Sequence, residues 1–413
     1  MRKRNSALIG IILLVLGLGV VFFYKYSDQI FLPKQPSSGS KKEIPVVDPI
    51  KDQIQDMSLK EKVGQLVMVG LDGYEMNINS QKLIQDYHVG GFVLLKRNVK
   101  DSQQLLDLVN TLKETNSINK IPLFLAIDEE GGRVSRMPEE FKKMPTSQKI
   151  GEHNNRKLSK RVGEILGKEV KAFGMNMNLA PVLDIFCNPQ NTVIGDRAFG
   201  DNPDLVSKLG LQAMKGIQEQ GIISVVKHFP GHGDTSVDSH VGLPIIGHDL
   251  ERLMVFELLP FSHVIDNNVD AIMLAHILLP KLDPNFPASF SETIISEILR
   301  EKMNYDGVIM TDDMTMGAIA DNYDISNMAV KSIQSGCDII LICNDFSTKE
   351  DVLKAIHSAV ETGIISSERI DESVYRVLQL KKKYSLTDQQ VESVDVQGIN
   401  SEIEQLYKDY PDL

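Results

Sequence analysis

Carboxylates and imidazoles crowd one stretch of this chain. Between Lys227 and Pro244 it reads KHFPGHGDTSVDSHVGLP, which sets His228, His232 and His240 beside Asp234 and Asp238, with His248 just beyond. Asp238 and His240 form a D-x-H pair, in which the carboxylate can hydrogen-bond the imidazole and raise its pKa by stabilising the imidazolium. Such a pair can protonate a leaving group and later deprotonate water. Two other uses stay open at this level. His228, His232, Asp234 and His240 are all suitable metal ligands, and loop histidines also cap carbonyls, His232 inside PGHGDT being the best placed to do so. The spacing lacks the HExxH pattern, and Lys227 is a poor neighbour for a cation, so neither a metal nor another cofactor is expected.

Two further groups carry chemistry. In IDEEGGRVSR, Asp128 precedes a Gly131–Gly132 turn, and Arg133 and Arg136 can offer forked donors to a polar substrate or pair with Glu129 and Glu130. In GVIMTDD, strand alternation predicts that one of Asp312 and Asp313 projects into a cavity and the other points away. A carboxylate fixed there can serve as nucleophile, metal ligand or base.

The elements that must position these groups are short apolar runs. Eight recur: Gly64–Gly70, Gly91–Leu95, Pro122–Asp128, Asn176–Asp184, Gly221–His228, Asp270–His276, Gly307–Asp312 and Cys337–Cys343. Segments with apolar residues three or four apart, such as Asp101–Thr115 and Arg156–Phe173, lie between them and predict amphipathic helices. Strands apolar throughout and alternating with helices imply a parallel sheet covered on both faces, and eight such units predict a (β/α)8 TIM barrel. In that fold chemistry collects where strands end, and Asp128, Asp184, Lys227, His228, His276 and Asp312 all stand at the ends of runs. Pro230, Gly231 and Gly233 break regular structure after the fifth run. So polar a stretch is expected at the surface rather than in the core.

The whole chain sets the bounds. Its 413 residues, 42% apolar and 24% charged, suffice for a large core, and its net charge of −12 argues against nucleic-acid binding. Cys187, Cys337 and Cys343 are an odd number without CxxC spacing and are expected as buried free thiols. No GxxxxGK[ST], strand-linked GxGxxG or GxSxG is present, which points away from nucleotide cofactors and from a serine nucleophile elbow. MRKR followed by the apolar run Ala7–Tyr24 predicts a cytoplasmic basic segment and a transmembrane anchor over residues 1–26, with the rest of the chain extracytoplasmic, or secreted if that segment is cleaved. Residues 27–49 read as a Pro/Ser/Lys-rich linker, 50–383 as the barrel, and 384–413 as a polar tail or helix. The chain is expected to be a monomer.

KHFPGHGDTSVDSH, together with IDEEGGRVSR, NLAPVLDI, GDRAFG and GVIMTDDM, closely resembles the β-N-acetylhexosaminidases of glycoside hydrolase family 3, in the same order from about Ile50 to Lys383. The resemblance implies a single-domain barrel that removes terminal β-linked N-acetylglucosamine from cell-wall fragments, with retention, through a covalent glycosyl-enzyme. It implies Asp312 as nucleophile and His240 as acid/base assisted by Asp238. It also implies substrate contacts from Asp128, Arg136, Arg197, Lys227 and His228. A family β-glucosidase or N-acetylglucosaminide phosphorylase, and a non-catalytic wall-binding protein, are the alternatives. One departure stands out: the usual glutamine of the DQEGG turn is Glu129 here, which adds negative charge near the sugar.

Overall fold

The computed structural model describes residues 48–413 except His240 and Val241. The Ala7–Tyr24 run and His240 therefore lie outside the described residues. Among those described, no helix is long and apolar enough to cross a membrane.

Eight parallel strands close on one another in sequence order. They are β1 Val67–Gly70, β2 Gly91–Leu94, β3 Phe124–Ile127, β4 Met177–Asn178, β5 Ile223–Phe229, β6 Ala271–Leu274, β7 Val308–Asp313 and β8 Ile339–Ile342. β1 pairs with both β2 and β8, so no sheet edge is left between them. Every residue of β1 to β6 and of β8 is buried, as continuous apolar runs between two covered faces require.

The connecting helices form the outer layer: α1 Ile78–Gln85, α2 Ser102–Asn116, α3 Arg156–Ala172, α4 Pro203–Glu219, α5 Leu259–Ile265, α6 Thr293–Lys302, α7 Ile325–Gln334 and α8 Phe346–Glu361. Their starts are written in the sequence. Asp101, Asn155, Asn202, Asp324 and Asp345 each accept an amide of the first turn, and α4 adds Pro203 where its missing N–H costs nothing. α9, Ser367–Lys383, and α10, Val396–Asp409, follow the barrel. The polar stretch after Lys383 thus contributes a helix that buries Ile399, Ile403 and Leu406 and ties Glu402 to Lys168 of α3 at 2.6 Å.

Three expectations are corrected. The first half of the Gly64–Gly70 run closes a helix, Leu59–Gln65, and only Val67 onward is strand. In Asn176–Asp184 only Met177 and Asn178 pair as strand, because Pro181 lacks a donor; Val182 rejoins β5 through a single bridge to Lys227. The stretch from Lys227 to Gly233 is buried rather than at the surface. Gly233 explains part of this, since a Cβ there would collide with the Ile185 carbonyl, so only glycine lets the loop pack so closely against the segment after β4.

Candidate active site

A cavity of about 910 Å³ opens at the C-terminal ends of the strands. Asp128, Arg136, Arg197, Lys227, His228, Asp238 and Asp312 all line it, so the barrel gathers at one place every described residue to which the resemblance gave a catalytic or binding role, whereas Asp184, Asp234 and His276 do not line it. The pairing register slips in β5/β6 between Val226 and Phe229, and in β7/β8 between Met310 and Asp313. Both irregularities fall where a strand delivers polar residues to the mouth, a frequent use of bulges beside active sites.

The second slip corrects the expected alternation of Asp312 and Asp313, because both reach the cavity. Their surroundings distinguish them. Asp313 Oδ1 accepts from Thr315 N at 3.0 Å, Thr315 Oγ1 at 2.7 Å and Cys343 N at 3.0 Å. Among the described residues, Asp312 accepts only from the Asp313 amide, at 2.8 Å, which leaves the rest of its carboxylate turned to the cavity. Burial works against its ionisation. The imidazoles of His228 and His276, the Asp313 amide and Lys227 more than offset that and hold it below the ordinary carboxylate range.

A buried ionic chain crosses the opposite wall. Lys227 Nζ donates to Asp128 Oδ1 at 2.5 Å and lies 2.7 Å from Glu130 Oε1; Arg197 grips Glu130 through Nε and Nη2, each at 2.8 Å. The Lys227 and Glu130 side chains are each 3% exposed, so their charges are desolvated and hold one another in fixed geometry. Burial opposes the charge on Glu130, yet Lys227 and Arg197 outweigh it and hold the carboxyl far below its usual range. The sequence does not single out Glu130, because its two partners stand 67 and 97 positions away, one in the long loop after β4 and the other in β5.

Asp184, marked in the sequence only by its place at the end of the fourth apolar run, anchors two histidines. Its Oδ2 takes the Nδ1 of His228 at 2.6 Å, and its Oδ1 accepts the His232 amide at 2.6 Å. The other ring nitrogen of His228, Nε2, lies 3.4 Å from Arg197 Nη2. Position at a strand end was the available signal. His276 had the same signal; it is buried between Ser289 Oγ, 2.8 Å from Nδ1, and the Asp313 carbonyl, 3.0 Å from Nε2, so it props the strand end of β7.

The arginines after the Gly131–Gly132 turn divide. Both glycines have positive φ, and a Cβ on Gly132 would stand 2.6 Å from Thr146 Cγ2, so the turn requires them. Arg133 binds Asp196 at 2.6 Å and the carbonyls of Thr192, Val193 and Ile194, which staples the loop after β3 to the one that carries Arg197. It pairs with neither Glu129 nor Glu130. Arg136 lines the cavity, and its buried Nε bonds to no described group. Glu129 turns away from the cavity, which it does not line: its Oε2 accepts from Ser135 Oγ at 2.8 Å and from the amides of Arg136 at 2.8 Å and Met137 at 3.3 Å. His232 contacts the hydroxyls of Thr235 and Ser239 instead of carbonyl groups through its ring. All three cysteines are free thiols; Cys337 and Cys343 are buried, and Cys187 is partly so.

The profile of the Glycosyl hydrolase family 3 N terminal domain matches residues 58–380, nearly the whole barrel. The chain belongs to glycosyl hydrolase family 3. Relatives and solved structures agree on this family. A protein of Idiomarina loihiensis named Beta-hexosaminidase is 37% identical over 309 residues, 74% of this chain and 91% of that protein. Beta-hexosaminidase A of Pseudoalteromonas piscicida is 35% identical over 326 residues, and there the match spans 54% of the relative's length. The solved family 3 beta-N-acetylglucosaminidase of Paenibacillus sp. str. FPU-7 superposes with a TM-score of 0.81 at 39% identity, over 85% of this chain and 68% of that one. As a family 3 glycoside hydrolase, the chain has its mouth carboxylates and cations arranged around a cavity whose volume lies in the ordinary range of ligand pockets.

Proposed function

We propose that this protein is a retaining exo-β-N-acetylglucosaminidase that releases terminal N-acetylglucosamine from peptidoglycan-derived fragments. The observation that carries the reading is the contrast between Asp312 and its neighbours: it is held ionised at the cavity wall with oxygen left to attack, while Asp313, Glu130 and Asp184 are consumed by protein partners. Asp238 lines the same cavity, two residues before His240.

In this reading Asp128, Arg136, Arg197, Lys227 and His228 hold the sugar hydroxyls. The Asp312 carboxylate forms a bond to the anomeric carbon as the glycosidic C–O bond breaks, and the His240 imidazolium, oriented by Asp238, gives its proton to the departing oxygen. Neutral His240 then takes a proton from water, whose oxygen attacks the anomeric carbon and frees Asp312. A histidine suits both steps because its ordinary pKa lies near neutrality. We also propose that Ala7–Tyr24 tethers a monomeric barrel to the outer side of a membrane; detection of the chain in a soluble fraction without detergent would count against the tether.

The test is incubation of the purified full-length protein with muropeptides and with nitrophenyl glycosides, with and without phosphate. Free N-acetylglucosamine, released without dependence on phosphate, is expected. Release of glucose alone, or of N-acetylglucosamine 1-phosphate only when phosphate is present, would overturn the assignment.

A further inference from the structure

The loop that follows β5 is drawn closed into an arch at its base, and its Asp238 and Ser239 stand on the cavity wall. Ile246 N donates to the Leu278 carbonyl at 3.0 Å and Leu278 N to that of Pro244 at 2.9 Å, which fixes the outgoing limb against the segment after β6. His248 Nε2 meets Asp234 Oδ2 at 2.8 Å and pulls the two limbs together. Between these anchors stand Asp238 and Ser239, both on the cavity wall.

Ser239 is gripped from two sides. The Ala318 amide, a few residues beyond Asp312, donates to its carbonyl at 2.9 Å. From the interior, the His232 ring spans the arch, with Nδ1 2.8 Å from Thr235 Oγ1 and Nε2 3.2 Å from Ser239 Oγ. His232 is 2% exposed, and its own amide is fixed on Asp184. Burial, followed by repulsion from His228, pushes this imidazole down to about 4, so the ring is neutral at ordinary pH. Both hydroxyls rotate to suit either neutral tautomer, and the bridge needs no charge on the ring.

We propose that His232 is a positioning residue: through Ser239 it holds the arch that keeps Asp238 at the cavity wall, and so governs proton delivery to the leaving oxygen. This rests on the proposed role of Asp238 and His240 in proton transfer. Its signature is therefore dependence on the leaving group. A glycoside that departs poorly needs the proton in the transition state, whereas one with a strongly acidic leaving group does not.

The experiment compares kcat/KM for methylumbelliferyl and dinitrophenyl N-acetylglucosaminides in His232→Ala, His232→Gln, Ser239→Ala and Asp238→Asn. His232→Ala is expected to lose roughly 10- to 100-fold on the poorer leaving group and less than about threefold on the better one. His232→Gln should recover part of that loss. The double variant with Ser239→Ala should be no worse than the worse single change, since both remove the same His232–Ser239 bond. Equal losses on both substrates, or no loss, would overturn the proposal. Should His232→Ala fail to fold, Ser239→Ala, which removes only a hydroxyl, decides by the same criterion. If Asp238→Asn shows the leaving-group signature and neither His232→Ala nor Ser239→Ala does, the positioning role alone fails. If Asp238→Asn lacks it, the underlying proton-transfer assignment fails.

Discussion

The two ends of the barrel are built from the same materials and put them to different use. At the floor, where strands begin, Asp338 is fully buried beneath Arg300, Arg369 and Arg376, with Ser373 Oγ at 2.6 Å and the Ile309 amide at 3.0 Å. Asp270 likewise takes Lys383, Tyr384 and Gln218. Lys381 donates to Gln65 Oε1 and to the carbonyls of Gly90 and Pro122, 4.5 Å above the Phe124 ring. At the mouth, Glu130 and Asp184 are equally enclosed, but their partners Arg197, Lys227 and His228 also face a cavity. A floor ion locks chain segments together. A mouth ion also fixes groups that line the cavity, and among the described residues Asp128 is tied through one oxygen to Lys227 while Asp312 is bonded only by the Asp313 amide.

The contrast can be broken most forcefully at that carboxylate. Asp312→Asn should lower kcat on the order of 10⁴-fold or more while leaving chemical denaturation essentially unchanged. Asp338→Asn is the mirror experiment: leaving three buried guanidinium groups short of their counter-charge should cost about 3–5 kcal/mol of stability, read by urea unfolding, with kcat near wild type at a temperature where the variant is folded. If either substitution moves both quantities equally, the division between mouth and floor is wrong.

Glu130 sharpens the comparison because it is enclosed like a floor residue yet sits at the mouth. Glu130→Gln should reduce kcat/KM about 100-fold, mostly through KM, since Arg197 and Lys227 lose the group that aims them. The smallest effect is expected at Glu129. Burial pushes its carboxyl up to about 7 against three donors that favour the ion, and burial with repulsion from Glu129 drives Glu169 well above its usual range. A folded-state pKa raised above the unfolded one means that the folded protein keeps a proton the unfolded chain gives up. Stability from this group is full below the unfolded value of 4.5 and is lost as pH rises through about 7. Glu129→Gln should therefore be more stable than wild type by ~1–3 kcal/mol at pH 8 and nearly equal to it at pH 4, as unfolding at the two pH values would report.

Much of this was legible in the residues alone. Eight apolar runs announce eight strands, and polar residues at their ends announce the mouth, because a buried strand can expose side chains only where it stops. Glu130 escaped notice because a carboxylate's partner is set by which strands become neighbours on closure, and nothing in the spacing of IDEEGG separates it from Glu129. The burial of Lys227–Gly233 escaped for a related reason. Polar residues enter an interior when other polar groups meet them, as Asp184 does for His228 and His232, and such matches appear only in three dimensions. The Met310–Asp313 slip, which turns both aspartates of β7 to the cavity, breaks the period-two rule that any strand pattern assumes.

The central claim is that Asp312 alone among the mouth carboxylates forms a bond to the sugar. The most direct measurement is mass spectrometry of peptides from protein inactivated with a fluorinated N-acetylglucosaminyl fluoride, which forms the glycosyl-enzyme faster than water removes it. A sugar adduct on Asp312 is the predicted result. An adduct on Asp313 or Asp128, or turnover with inverted product and no adduct at all, would contradict it.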